Sequence, residues 1–184
     1  MEELQRLKSI ILEKSYREGE FTLSSGRASS YYIDMKQTTL HCEGNYLICK
    51  LLYDLVPPDI KAVGGLTMGA DPLTTGLAFY AYLMGRKIHA FYVRKEPKSH
   101  GTSNLIEGFS NLRRGDPIII LEDVVTSGES AMKAVLAARA MGLVVKKVLA
   151  VVDREEGGSE FLKEHDIELQ VLFKRSELAN SSLP

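Results

Sequence analysis

At 184 residues, 45% of them hydrophobic and 26% charged, the chain is long enough to bury one substantial core and short for two, so residues 1–184 are expected to form a single domain. The 23 Lys and Arg against 24 Asp and Glu leave a net charge near −1, which argues against broad nucleic-acid binding. No apolar run reaches the roughly 18 residues of a membrane span, and the opening MEELQRLKSI is charged with no apolar signal core, so a cytoplasmic protein is expected.

Residues 2–18 place Leu4, Leu7, Ile11 and Leu12 at helical spacing, with Glu2 and Glu3 in the first turn, and predict an amphipathic helix stopped by Gly19. Residues 20–36, EFTLSSGRASSYYIDMK, alternate Phe21 and Leu23 with polar neighbours, break at Ser-Ser-Gly-Arg and resume at Tyr31, Tyr32 and Ile33, the pattern of a hairpin with a glycine turn. A helix over 43–56 carries Leu47, Ile48, Leu51, Leu52 and Leu55 and is closed by Pro57-Pro58. Cys42 and Cys49 read as buried thiols rather than as a disulfide or part of a metal site. A strand at 60–65 ends in Gly-Gly, and the glycine-rich GGLTMGADP leads into a helix over 72–84 that is expected to bury Leu73, Leu77, Phe79, Tyr80 and Leu83. The strand at 88–93 releases a polar loop, Arg94-Lys95-Glu96-Pro97-Lys98-Ser99-His100-Gly101, that runs on to Gly108. Ile118 to Leu121 form an apolar strand suited to burial on both faces, followed by Glu122, Asp123, two valines and a Thr-Ser-Gly turn. A helix at 130–141, a strand at 144–152 ending in Asp153-Arg154, a short helix at 161–166, a strand at 167–173 and a cap at 176–178 complete the chain. Strands and helices alternate from residue 43 onward, which predicts an α/β fold with a mostly parallel sheet and helices on both faces.

The chemistry concentrates where a strand ends and a helix begins. Carboxylates at a strand's carboxyl end lie at the edge where open α/β sheets bind ligands, and the free N–H groups opening the next helix suit a phosphate. Glu122-Asp123 with the following Thr126-Ser127-Gly128-Glu129-Ser130 could thus hold the hydroxyls and the phosphate of a sugar phosphate. They could equally be ordinary strand-end acids and an ordinary helix cap. A nucleotide hydrolase would need GxxxxGK[ST], which the chain lacks. Arg94, Lys95, Lys98 and His100 form a cationic loop that is either solvated charge or an anion clamp, and Arg154 either pairs with Glu155 or Glu156 on the surface or reaches the cleft.

ILEDVVTSGES resembles the phosphoribosyl-pyrophosphate (PRPP) motif of the type I phosphoribosyltransferases. The segments FTLSSGRASSYY, GGLTMGADP, RKEPKSHG and VDREEG resemble the orotate phosphoribosyltransferase branch. The resemblance implies transfer of phosphoribose from PRPP to orotate, with residues 1–42 forming a helix and a hairpin hood and 43–178 the α/β core. It implies that Glu122 and Asp123 hold the ribose and that Val124, Val125, Thr126, Ser127, Gly128, Glu129 and Ser130 form the 5′-phosphate loop, with the Glu129 side chain turned to solvent. Arg94, Lys95, Lys98 and His100 would neutralise pyrophosphate, and Tyr32 and Ile33 by their backbone, with Thr126 and Arg154, would read orotate. It further implies Mg²⁺ arriving with PRPP, no protein-built metal cage, and a homodimer sharing the cationic loop. Ser24 and Gly69 stand where many relatives carry Lys, so no lysine contact is implied at either position. A transferase acting on another base and a PRPP-sensing regulator share parts of this pattern.

Overall fold

The computed structural model describes residues 1–22, 28–96 and 105–179. Its centre is a six-stranded sheet in the order β5-β4-β3-β6-β7-β8, built from β3 (Ala62–Leu66), β4 (His89–Val93), β5 (Ile106–Glu107), β6 (Pro117–Val125), β7 (Val144–Asp153) and β8 (Leu169–Lys174). Every pairing is parallel except that of β5 with β4. The unbroken apolar run has the predicted consequence, because β6 sits between β3 and β7 with Ile118 to Leu121 fully buried. Alternation then splits it: Ile119 and Leu121 face the layer of α1 (Glu2–Lys14), α3 (Cys42–Tyr53) and α4 (Asp71–Leu83), whereas Ile118 and Ile120 face α5 (Glu129–Ala140) and α6 (Gly158–Glu164). A two-stranded antiparallel hairpin, β1 (Tyr16–Thr22) with β2 (Ala28–Ile33), stands apart from the sheet. The short α2 (Lys36–Thr39) follows it, and α7 (Arg175–Ala179) follows β8. No helix among the described residues is long and apolar enough to cross a membrane.

Four expectations need correction. The first helix ends at Lys14 rather than running to Gly19, because Tyr16 begins a strand paired with Ile33 and the pairing slips between Glu18 and Phe21, around Gly19. The β3 strand passes through Gly64 and Gly65 to Leu66, since the missing side chains let other groups approach: a Cβ on Gly64 would lie 2.3 Å from the Phe91 ring, and one on Gly65 would lie 2.2 Å from the Leu121 carbonyl oxygen. On α4, Leu73 and Leu77 are buried as expected, but Phe79 is 65% and Leu83 60% exposed, alongside exposed Tyr82 and Met84. Both cysteines are free, yet only Cys49 is buried; Cys42 is exposed at the start of α3. Burial pushes the Cys49 thiol up to about 12.

The contact at Gly64 carries a stability prediction. Gly64→Ala drives a methyl group into the ring of Phe91, itself 1% exposed, and is expected to cost about 1–3 kcal/mol in denaturant unfolding. An unchanged midpoint and slope would contradict this packing.

Candidate active site

The carboxyl ends of β3, β6 and β7 form one edge of the sheet. Because β6 continues to Val125, the acids lie within its last residues rather than beyond it. Glu122 is buried and Asp123 half-buried, with Asp123 Oδ1 accepting from the Val124 N–H at 2.9 Å. The loop leaving β3 closes on the same carboxylate: a Cβ on Gly69 would come within 2.6 Å of Asp123 Oδ1, so only a glycine leaves that acid its place. Lys95, exposed just beyond β4, is near enough for its charge to act on Glu122, and Asp123 acts likewise on Lys36.

Burial first, and the Asp123 charge second, hold the Glu122 carboxyl well above its ordinary value of 4.5; Lys95 opposes them more weakly. The folded state therefore binds this proton more tightly than the unfolded chain. Its contribution to stability is present below pH 4.5 and is lost as pH rises through the raised value. Glu122→Gln escapes that loss. Denaturant unfolding at several pH values is expected to show a stability difference that moves in favour of the variant from about pH 4 to pH 8; a difference independent of pH would contradict the shift.

Gly128 is the turning point of the phosphate-loop candidate, in the left-handed conformation (φ 81°) at the cap of α5. Its surroundings require glycine twice over, since a Cβ here would meet the Gly158 carbonyl oxygen at 3.0 Å. Conversely, a Cβ on Gly158 would meet the Thr126 carbonyl oxygen at 2.6 Å. The loop and the start of α6 pack backbone to backbone. A cavity of about 70 Å³ lies there, lined by residues 124–128 together with Glu122, Ser130 and Ala131. The Glu129 side chain is exposed and outside that lining, as expected.

Arg154 reaches the same place. Its backbone N–H donates to the Val125 carbonyl at 2.9 Å, tying the residue after β7 to the end of β6. Its side chain is only 11% exposed; Nε donates to the Tyr31 hydroxyl at 3.0 Å, and Nη2 lies 2.9 Å from Glu156 Oε1. At that distance the charges attract, but no N–H of Nη2 is directed along the line, so the nitrogen is left without a hydrogen bond. Glu122 Oε2 and Asp71 Oδ1 are likewise buried without a hydrogen-bond partner. The turn after Arg154 puts Glu155 at φ 59°, held by its N–H to Asp153 Oδ1 at 2.8 Å and by its carboxylate, which accepts from the Ser176 N–H and hydroxyl at 2.8 and 3.1 Å.

Glu122, Asp123, residues 124–128 and Arg154 thus meet at one edge, with Lys95 close enough to be felt there. Arg94 is occupied at the start of its loop, donating through its side chain to Glu107 at 2.9 Å and through its backbone to Leu105 at 2.8 Å. Lys98 and His100 lie outside the described residues. Tyr32 and Ile33 lie on β2, but alternation turns the Tyr32 ring to the other face of the hairpin, where it sits 5.6 Å from Phe21 beside a cavity of about 460 Å³. The residue whose side chain meets Arg154 is Tyr31, which sequence reasoning passed over. Gly158 was also missed, although the Gly-Gly pair at 157–158 was a visible signal of close backbone approach.

No protein-family model matches the chain. It is, however, 50% identical over 184 residues to the orotate phosphoribosyltransferase of Aquifex aeolicus, with 97% of this chain and 98% of that one covered. The chain belongs to the orotate phosphoribosyltransferase family. A second orotate phosphoribosyltransferase, from Nostoc sp., is 45% identical over 174 residues, covering 95% of this chain and 84% of its own. The crystal structure of the Mycobacterium tuberculosis orotate phosphoribosyltransferase in complex with PRPP superposes with a TM-score of 0.79 at 34% identity, covering 96% of this chain and 99% of that one. The mostly parallel sheet flanked by helices is the type I phosphoribosyltransferase arrangement, to which the N-terminal helix and hairpin are added.

Proposed function

We propose that this chain transfers the 5-phosphoribosyl group of PRPP to orotate, giving orotidine 5′-phosphate and pyrophosphate, a step of pyrimidine synthesis leading to UMP. The observation that carries the reading is the convergence of three chemistries at one sheet edge: the Glu122-Asp123 pair, the backbone loop of residues 124–128 and the buried fork of Arg154, joined by the Arg154 N–H to Val125 carbonyl bond. In this reading one domain, residues 1–184, performs the reaction in a cytoplasmic setting.

The carboxylates of Glu122 and Asp123 accept hydrogen bonds from the ribose hydroxyls, and the small cavity at the opening of α5 takes the 5′-phosphate among backbone N–H groups and the hydroxyls of Thr126, Ser127 and Ser130. Arg154 and Thr126 read the planar base together with the backbone of Tyr32 and Ile33. As the bond from ribose C1′ to pyrophosphate lengthens, the sugar turns cationic and the leaving group gathers negative charge. Asp123 stabilises the first, and Arg94, Lys95, Lys98 and His100 the second. Mg²⁺ would be carried in with PRPP, held chiefly by diphosphate oxygens and water rather than by a protein-built cage, with the oxygens of Glu122 and Asp123 at the same sheet edge. When bound, the ion neutralises diphosphate charge while keeping much of its water.

A homodimer sharing the cationic loop belongs to the same proposal. Phe79, Tyr82 and Leu83 give α4 an exposed apolar stripe at helical spacing, a surface fit for a second copy. Phe79→Asp is expected to shift sedimentation from dimer towards monomer, and a parent protein that sediments as a monomer at all concentrations would contradict the dimer.

The reaction itself is tested by product analysis. PRPP, orotate and Mg²⁺ should yield orotidine 5′-phosphate and pyrophosphate in equal amounts; bound PRPP that yields neither would make the protein a sensor of PRPP instead.

A further inference from the structure

Tyr31 lies on β2 of the hairpin and Arg154 at the end of β7, 123 residues apart, yet the two side chains are locked together. The Tyr31 hydroxyl donates to Glu156 Oε1 at 2.6 Å while accepting from Arg154 Nε at 3.0 Å. The face of the same ring lies 4.8 Å from Arg154 Cζ and 5.0 Å from Arg175 Cζ, and Tyr16 stacks on it at 6.0 Å. One residue therefore holds the guanidinium both by its edge and over a ring face, and Glu156 supplies the matching charge.

Nε is spent on the hairpin, and Nη2 is ion-paired with Glu156 Oε1 at 2.9 Å without a directed hydrogen bond, so two partners hold a side chain that is only 11% exposed. A guanidinium carries five N–H donors, more than these two partners take, which leaves donors for a ligand. The turn beyond is fixed at Glu155 by Asp153 and Ser176, which holds the backbone next to the arginine.

We propose that Tyr31 and Glu156 are positioning residues for Arg154, holding its guanidinium so that its remaining N–H donors stay available to a planar base, and that the N-terminal hairpin thereby takes part in selecting orotate through the Tyr31 hydroxyl. The inference rests on the proposed contact of Arg154 with orotate. It differs from a merely structural role in one measurable way: Tyr31 acts on the base only through Arg154.

Steady-state kinetics of Tyr31→Phe, Glu156→Gln, Arg154→Ala and the Tyr31→Phe/Arg154→Ala double variant, each with orotate and PRPP varied in turn, test it. Tyr31→Phe keeps the ring and its stacking and removes only the hydroxyl. It is expected to raise the KM for orotate about tenfold and to leave the KM for PRPP within about twofold. Glu156→Gln should move the orotate KM in the same direction by less. The double variant should be no worse than Arg154→Ala alone, because nothing remains to be positioned. The proposal is overturned if Tyr31→Phe raises both KM values equally, if its effect multiplies with that of Arg154→Ala, or if the orotate KM stays put while Arg154→Ala raises it. An unchanged orotate KM in Arg154→Ala removes the orotate contact itself, and the positioning role falls with it.

Discussion

Asp123→Asn is expected to lower kcat by about 100- to 1,000-fold while leaving the fold intact. The substitution keeps the size of the side chain and an oxygen able to accept the Val124 N–H, which now lies 2.9 Å from Oδ1. In the proposed mechanism it removes the negative charge that faces the sugar as C1′ becomes cationic, a contribution made chiefly in the transition state. Loss of such a term appears in kcat rather than in substrate affinity. The stability side of the prediction runs the opposite way. Asp123 is one of the causes holding the Glu122 carboxyl above its ordinary value, so removing its charge relieves a repulsion in the buried pair. The variant should therefore melt no lower than the parent near neutral pH. A large loss of turnover with undiminished thermal stability separates a catalytic acid from an ordinary strand-end residue; unchanged kcat would return Asp123 to the latter.

Arg154→Ala is expected to reduce kcat/KM for orotate by about 100- to 1,000-fold, with the KM for PRPP nearly unaffected. Two effects add. A base that loses a charge-assisted hydrogen bond from a planar fork loses most of the discrimination that the fork supplied. Truncation also leaves the Tyr31 hydroxyl and the Glu156 carboxylate without the cation they now share, in a pocket where Arg154 itself is only 11% exposed. Arg154→Lys should recover little of the loss, since a lysine offers a point charge and cannot serve Tyr31 and a base edge at the same time. Equal losses for orotate and PRPP would instead mark Arg154 as a support of the sheet edge.

The contrast between Tyr31 and Tyr32 shows where sequence reasoning stops. Residues that follow each other on a strand point to opposite faces, so one ring of the pair had to face the cleft and one had to face away. Nothing local says which, because the deciding partner, Arg154, is 123 residues distant. The same limit explains the first helix. No helix breaker stands before Gly19, and only the pairing of Tyr16 with Ile33 in the hairpin ends the helix earlier. On α4 the period was right and its meaning was not: apolar residues at helical spacing mark a face that must be covered, and Phe79 and Leu83 lie on a face the chain itself leaves open. Glu155 in the left-handed region is invisible in sequence, since its conformation is imposed by Asp153 on one side and Ser176 on the other.

By contrast, β6 and the loop leading from it into α5 were legible, because the signals there are local and mutually consistent. Four apolar residues in a row can be buried only between two layers, acids at the end of such a strand meet the ligand edge, and Gly128 is needed for both its φ of 81° and its contact with Gly158. The cleft is readable from sequence to the extent that it is built from one continuous segment; the parts contributed by the hairpin and the end of β7 needed the fold.

Orotate specificity is the claim on which the rest depends, and it is measured most directly by mixing the purified protein with PRPP and Mg²⁺ and following base consumption with orotate, uracil, hypoxanthine and adenine in parallel. Consumption of orotate, with the other three at background, is the predicted result. Turnover of any of the other bases at a rate comparable to that of orotate would contradict the assignment of Arg154 and the hairpin as selectors of the base.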